Sequence, residues 1–319
     1  MKYLQGKVAL VTGATRGLGR GIAIGLGEAG ATVYITGRTL TSSEDNSVGG
    51  SLQETQQAVE EAGGVCIPVQ VDHSDDEQIK QLCDRIAAEQ NGQLDLLVNN
   101  VFSGVTALRE AYGKSFWELE PSLWDQVNQV GLRSHYITSI YAARLMTQRR
   151  QGLICTLSSW GGMSYIFGVA YGVGKSACDR LAADLAVELK SYNVASISVW
   201  PGIVGTEHIA DFAKQSEASS VFADGYNWET PLLTGRVIAA LAAEPKIIQY
   251  TGKVRIIAEL AKYYRLVDRD GNLPVSLRSL KFILPFTVPP LRKYVWLIPD
   301  FKIPWILLLA KMLQSPKFK

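Results

Sequence analysis

From residue 7 to about residue 257, short runs of apolar and β-branched residues alternate with longer segments of helical periodicity. The runs cover residues 7–12, 32–36, 65–70, 94–99, 153–158, 194–200 and 253–257. Between them apolar residues recur every three or four positions, as Ile79, Leu82, Cys83 and Ile86 do within residues 75–90, and such a stripe predicts a helix lying on a sheet. Strands alternating with helices pair in parallel, so the pattern predicts an α/β fold with a doubly wound, seven-stranded parallel sheet and helices on both faces. Residues 39–51, rich in Ser, Thr and Gly, read as a solvated loop, and no internal repeat or low-complexity tract interrupts the alternation.

The alternation stops near residue 275. Residues 276–319 hold eight basic residues against Asp300 alone, a net +7, together with Phe282, Phe286, Tyr294, Trp296, Phe301, Trp305 and six prolines. No βαβ unit has that composition, so residues 1–275 are read as one domain and 276–319 as a basic, aromatic extension. Across all 319 residues, 32 basic and 30 acidic side chains give only +2, too little to attract nucleic acid by charge alone. A hydrophobic content of 47% excludes disorder. Cys66, Cys83, Cys155 and Cys178 show no CxxC or Cys/His spacing, which predicts neither a zinc site nor disulfides and suits a reducing compartment. His73, His135 and His208 are scattered and read as structural, with no metal. The first residues lack a signal-peptide pattern, and prolines and charges break the apolar runs of the extension before a bilayer-spanning length of about 20 residues.

The first strand runs into Thr12-Gly13-Ala14-Thr15-Arg16-Gly17-Leu18-Gly19 and then a helical segment. A strand, a glycine turn and a helix N-terminus form a dinucleotide cradle: Gly13 permits the turn, Gly17 admits the pyrophosphate to the backbone amides, and Gly19 lets helix pack on strand. The sheet is therefore of Rossmann type. At the tip of the second strand, where a carboxylate would bind the ribose hydroxyls of NAD, stand Gly37 and Arg38. With Arg16, Arg38 can neutralise a 2′-phosphate, so NADP(H) is expected in preference to NAD(H), which the same turn accommodates.

Tyr171 and Lys175 share one face at the start of a helix running to about Lys190, and Ser159 follows the fifth strand. An ammonium beside a phenol favours its ionised form, which fits Tyr171 to exchange a proton with a carbonyl oxygen that Ser159 holds in place. Tyr3 and Lys7 have the same spacing but straddle a turn at Gly6.

Glycine turn, Asn99-Asn100 after the fourth strand, Ser159, and Tyr171-x-x-x-Lys175 together resemble the short-chain dehydrogenase/reductase superfamily, over roughly residues 5–260. The resemblance implies that Asp72 meets the adenine, Asn99 lies beside the nicotinamide ribose, and Thr206 holds the carboxamide. It also implies a homodimer paired through helices 122–150 and 170–190, and an extension that rests on the cytosolic face of the endoplasmic reticulum, with the cytoplasm as the other location. Two departures stand out. Val101 and Phe102 replace the usual Ala-Gly after the asparagines, and Gly131 stands where the family places the asparagine of its proton relay, leaving Asn128 one turn earlier as the stand-in. Apolar and aromatic residues in the substrate loops, 103–117 and 209–228, suit a bulky, steroid- or xenobiotic-like ketone or aldehyde. The sequence thus predicts an NADPH-dependent carbonyl reductase and alcohol dehydrogenase. A cofactor-binding, redox-responsive scaffold with little turnover is the alternative that Gly131, Val101 and Phe102 keep open. In the extension, Phe301, Ile303 and residues 305–309 form an apolar cluster flanked by Lys302 and Lys311, suited to peripheral membrane contact and too short to span.

Overall fold

The computed structural model describes residues 2–41, 49–213, 226–269 and 271–313. Six parallel strands come first in the chain: β1 (Val8–Val11), β2 (Thr32–Gly37), β3 (Val65–Gln70), β4 (Leu96–Asn99), β5 (Gly152–Leu157) and β6 (Val194–Trp200). A separate pair follows, β7 (Ile203–Val204) and β8 (Trp228–Glu229), before the edge strand β9 (Val254–Ile256). The main sheet has the order β3-β2-β1-β4-β5-β6-β9, parallel throughout. The winding reverses between β1 and β4, which opens a crevice at the carboxyl ends of those strands.

All seven sequence-predicted strands are present. Because helices cover both faces, alternate residues of one strand enter two different cores. Leu10, Leu97 and Ile154 pack with Ile79, Leu82 and Ile86 of α3 (Asp76–Glu89) and Ala142 and Met146 of a later helix, Ser134–Arg149. Val11, Val98 and Cys155 pack on the other face with Ile22 and Leu26 of α1 (Gly17–Glu28) and Leu233 and Val237 of the helix Pro231–Ala242. That second pair of helices meets backbone to backbone: a Cβ on Gly25 would lie 2.5 Å from the carbonyl carbon of Gly235.

Several local expectations gain detail, and some are corrected. The loop 39–51 leads into α2 (Leu52–Glu61), capped by Ser51, and its residues 42–48 lie outside the described residues. The substrate loop 103–117 holds a helix, α4 (Val105–Glu110), and enters a 3₁₀ turn at Phe116–Glu118. The expected helix 122–150 is α5 (Ser122–Asn128) and α6 (Ser134–Arg149), joined by a π-helical turn, Gln129–Arg133, centred on Gly131. The helix carrying Tyr171 and Lys175 is α7 (Val169–Leu189). The loop 209–228 begins inside the helix Glu207–Ala213, and residues 214–225 lie outside the described residues.

Residue 275 marks a change of composition rather than a break in packing. Arg278 bonds Glu259 at 2.7 Å and stands over the Trp305 ring at 5.2 Å, and Trp305 meets Trp200 of β6 edge-on at 5.9 Å. The final helix, Trp305–Leu313, thereby turns Trp305 and the buried Leu308 inward.

Candidate active site

The crevice is shaped by a latch between β1 and β4. Gly13 adopts φ +70°, a conformation that favours glycine. The Asn100 side-chain amide donates to the carbonyls of both Thr12 and Gly13 at 2.9 Å, while Thr12 Oγ1 accepts from the Asn100 and Val101 amides at 3.0 and 3.1 Å. Gly19 lies so close beneath that a Cβ there would be 2.2 Å from the Gly13 oxygen. Helix α1 starts at Gly17 (φ +53°), with no side-chain cap and no acidic residue in its first turn, so its leading amides and dipole are available to an anion. A pyrophosphate fits that donor set. Leu18 packs its side chain into the core behind the turn.

Around this cradle Arg16 is half-buried and Arg38 exposed at the end of β2. A Cβ on Gly37 would sit 2.5 Å from Thr15, which keeps position 37 small. Asp72 accepts from the Ser74 amide at 2.9 Å and the Ser74 hydroxyl at 2.8 Å, and that amide, with the hydroxyl and the charge of Arg38, holds its carboxyl below the ordinary range. The neighbouring Asp75 caps α3. Asn99 is fully buried, and its side-chain amide donates to the Ser139 hydroxyl at 2.9 Å and the His135 carbonyl at 3.3 Å, bracing β4 against α6.

Thr206 caps the helix Glu207–Ala213 through the Ile209 amide at 3.4 Å, and its methyl lies 3.4 Å from where a Cβ on Gly17 would be. It therefore stands over the cradle. The segment carrying it is held by Glu229, whose buried carboxylate accepts from the Gly202 amide at 2.9 Å.

Ser159, Tyr171 and Lys175 assemble where β5 ends against α7. Ser159 Oγ accepts from the Gly161 amide at 3.0 Å and lies 2.9 Å from Tyr171 Oη. A Cβ on Gly161 would come within 2.6 Å of the Tyr171 ring, so that glycine makes room for the phenol. Lys175 donates its ammonium to the Leu157 carbonyl at 3.0 Å and stands 5.9 Å from the Tyr171 ring centroid. The Ser158 hydroxyl donates to the Lys175 carbonyl at 2.9 Å. Beneath them Asp179 accepts from Ser198 at 2.5 Å and Trp200 at 2.8 Å, tying α7 to β6, and burial pushes its carboxyl above the ordinary range.

Asn128 does not join this group. Its amide donates to the Ala170 carbonyl at 3.2 Å and rests on Gly174, where a Cβ would lie 2.1 Å from its oxygen. His135 is a structural residue that bonds the Val101 carbonyl at 3.0 Å; burial, reinforced by the charge of Lys175, pushes its pKa down to about 3. Sequence reasoning missed Gly161, Asp179 and Glu229, and it quoted Thr12 and Asn100 within motifs without giving either a role.

The short chain dehydrogenase family model matches residues 7–217. Dehydrogenase/reductase SDR family member 1 of Mus musculus is 44% identical over 287 residues, 88% of this chain and 89% of that protein. The Homo sapiens protein of the same name is 43% identical over 290 residues, with the same coverage. A metagenomic short-chain oxidoreductase in complex with NADP superposes with a TM-score of 0.62 at 26% identity, over 80% of this chain and 97% of that one.

Glu229 gives the site a pH signature. Burial pushes its pKa up to about 7 from an ordinary 4.5. Folding therefore favours the protonated acid, and that contribution is lost as pH rises between about 4.5 and 7. Glu229→Gln keeps an acceptor for the Gly202 amide without the buried charge. It should be more stable than wild type by about 1–3 kcal/mol at pH 8, the gap closing by pH 5, as read by denaturant unfolding at both pH values.

Proposed function

The chain belongs to the short-chain dehydrogenase family and is an NAD(P)-dependent oxidoreductase, and from that premise we propose that it reduces bulky hydrophobic ketones or aldehydes with NADPH, oxidising the alcohols in reverse. The 2.9 Å approach of Ser159 Oγ to Tyr171 Oη carries this reading. A carbonyl oxygen placed against both hydroxyls takes a hydrogen bond from each, and Tyr171 gives up its proton as negative charge develops there. Lys175, held by the Leu157 carbonyl, favours the phenolate left behind. When bound, the dinucleotide supplies the hydride. The glycine turn and the start of α1 would hold its pyrophosphate, Thr206 its nicotinamide end, and Asp72 its adenine. Arg16 and Arg38, with no carboxylate at the tip of β2, support NADP(H) over NAD(H). Phe167 and the exposed Tyr165, Phe116 and Trp117 support an apolar substrate.

The proposed homodimer pairs α5–α6 and α7, which expose Trp124, Tyr136, Val173 and Val187. The extension would rest on a lipid surface, at the cytosolic face of the endoplasmic reticulum if not free in the cytoplasm. Tyr294, Trp296, Leu297, Phe301, Ile306 and Leu307 are all more than half exposed. Basic residues at 281, 292, 293 and 302 lie among them, the charge that suits an anionic headgroup layer. No helix among the described residues is long and apolar enough to cross a membrane.

Screening carbonyls by loss of reduced-nicotinamide absorbance should find turnover faster with NADPH than with NADH, and Tyr171→Phe should reduce it at least about 100-fold while NADPH still binds. Binding without turnover on any carbonyl would favour the scaffold. Light scattering at micromolar concentration should read the mass of two chains. Full-length protein should float with anionic liposomes, and Trp296→Ser/Ile306→Ser/Leu307→Ser should not; flotation of both, or of neither, removes the lipid reading.

A further inference from the structure

The two departures from the family pattern, Phe102 and Gly131, meet in space. A Cβ on Gly131 would lie 2.6 Å from Cδ2 and 2.9 Å from Cε2 of the Phe102 ring, and one on Gly104 would lie 2.9 Å from its Cζ. Carbon atoms in contact need about 3.5 Å, so the ring occupies a slot that exists only because both positions are glycine. From that slot its centroid stands 5.2 Å from the Lys175 ammonium, and its edge meets the Tyr171 ring with centroids 6.0 Å apart.

Neither the Gly131 carbonyl nor Asn128, the stand-in that the sequence suggests, bonds the ammonium. The Gly131 carbonyl accepts from the Cys178 thiol at 3.5 Å, and Asn128 bonds the backbone of α7. The ammonium instead has the Leu157 carbonyl on one side and an aromatic ring on another. A cation near a ring face is attracted by the quadrupole, and more strongly when partly desolvated.

We infer that Phe102 is a positioning residue for Lys175, standing in for the asparagine that the family carries at position 131. Its ring holds the ammonium beneath Tyr171, and Gly131 and Gly104 stay small to admit it. The inference rests on the reading of Tyr171 as proton donor.

A mutant cycle tests it, read by kcat, KM, the pH at which alcohol oxidation is half-maximal, and the thermal midpoint. Phe102→Leu keeps apolar bulk and removes the ring: kcat should fall about 3- to 30-fold with KM for substrate within about twofold, and the half-maximal pH should rise by roughly half a unit. Gly131→Asn alone should lower the thermal midpoint and kcat, because the ring fills its space. Phe102→Gly/Gly131→Asn, which exchanges ring for amide, should recover kcat to well above either single variant. A wild-type pH profile and kcat in Phe102→Leu, an unperturbed midpoint in Gly131→Asn, or a double variant no better than the worse single one would each overturn the inference. Tyr171→Phe separates the two levels. If it retains turnover the reading of the site fails, whereas if it is inactive and the cycle is silent only the role of Phe102 fails.

Discussion

The proposed chemistry of this molecule depends on one seam, the contact between the end of β5 and the first turns of α7. Leu157 accepts from the Lys175 ammonium, Ser158 donates to the Lys175 carbonyl, and Ser159 meets the Tyr171 hydroxyl. Three consecutive residues leaving a fully buried strand therefore set the position of a helix and of both functional side chains on it. Such a seam is precise because neither side can slide. β5 is paired on both edges, and α7 is anchored below by Asp179 to Ser198 and Trp200. The elevated titration of Asp179 reflects the burial that this anchoring requires.

The dinucleotide cradle is built differently, by absence of side chains. Gly13, Gly17 and Gly19 allow turn and helix to close on each other, and Asn100 then satisfies the two carbonyls that the tight turn leaves facing inward. An unbonded carbonyl buried there would cost roughly 1–3 kcal/mol, so the amide is part of the turn rather than an accessory to it. The end of β4 thus sends Asn100 to the glycine turn and, beyond it, Phe102 to Lys175 and Tyr171.

Features fixed by local periodicity could be read from the chain: the seven strands, the glycine turn, and the shared face of Tyr171 and Lys175. Features fixed by which elements become neighbours could not. Asn99 and Asn100 are adjacent in sequence, but successive strand residues point to opposite sides, so one braces α6 and the other latches the turn. Sequence shows Phe102 and Gly131 as two separate oddities, since the contact between them exists only once α5 and α6 are joined by the π turn across from β4. Glu229 reads as an ordinary acidic residue before a helix. Its burial follows from the β7–β8 pairing, which spans twelve residues outside the described set.

The extension joins this machinery through a stack of rings. Trp160, next to Ser159, meets Trp200 edge-on at 6.0 Å, and Trp200 meets Trp305 at 5.9 Å while donating its indole N–H to Asp179. The sequence of the last helix, apolar from Trp305 to Ala310, hides this division of labour. Trp305 and Leu308, three residues apart, face the domain, whereas Ile306, Leu307 and Leu309 remain exposed. Arg278, bonded to Glu259 and covering the Trp305 ring, fixes which face turns inward. The inward face completes the wall behind Ser159, so the outward face can engage a surface without withdrawing a side chain from the domain. An extension whose whole apolar surface had to leave the domain in order to dock would expose Trp200, and with it loosen the anchor of α7.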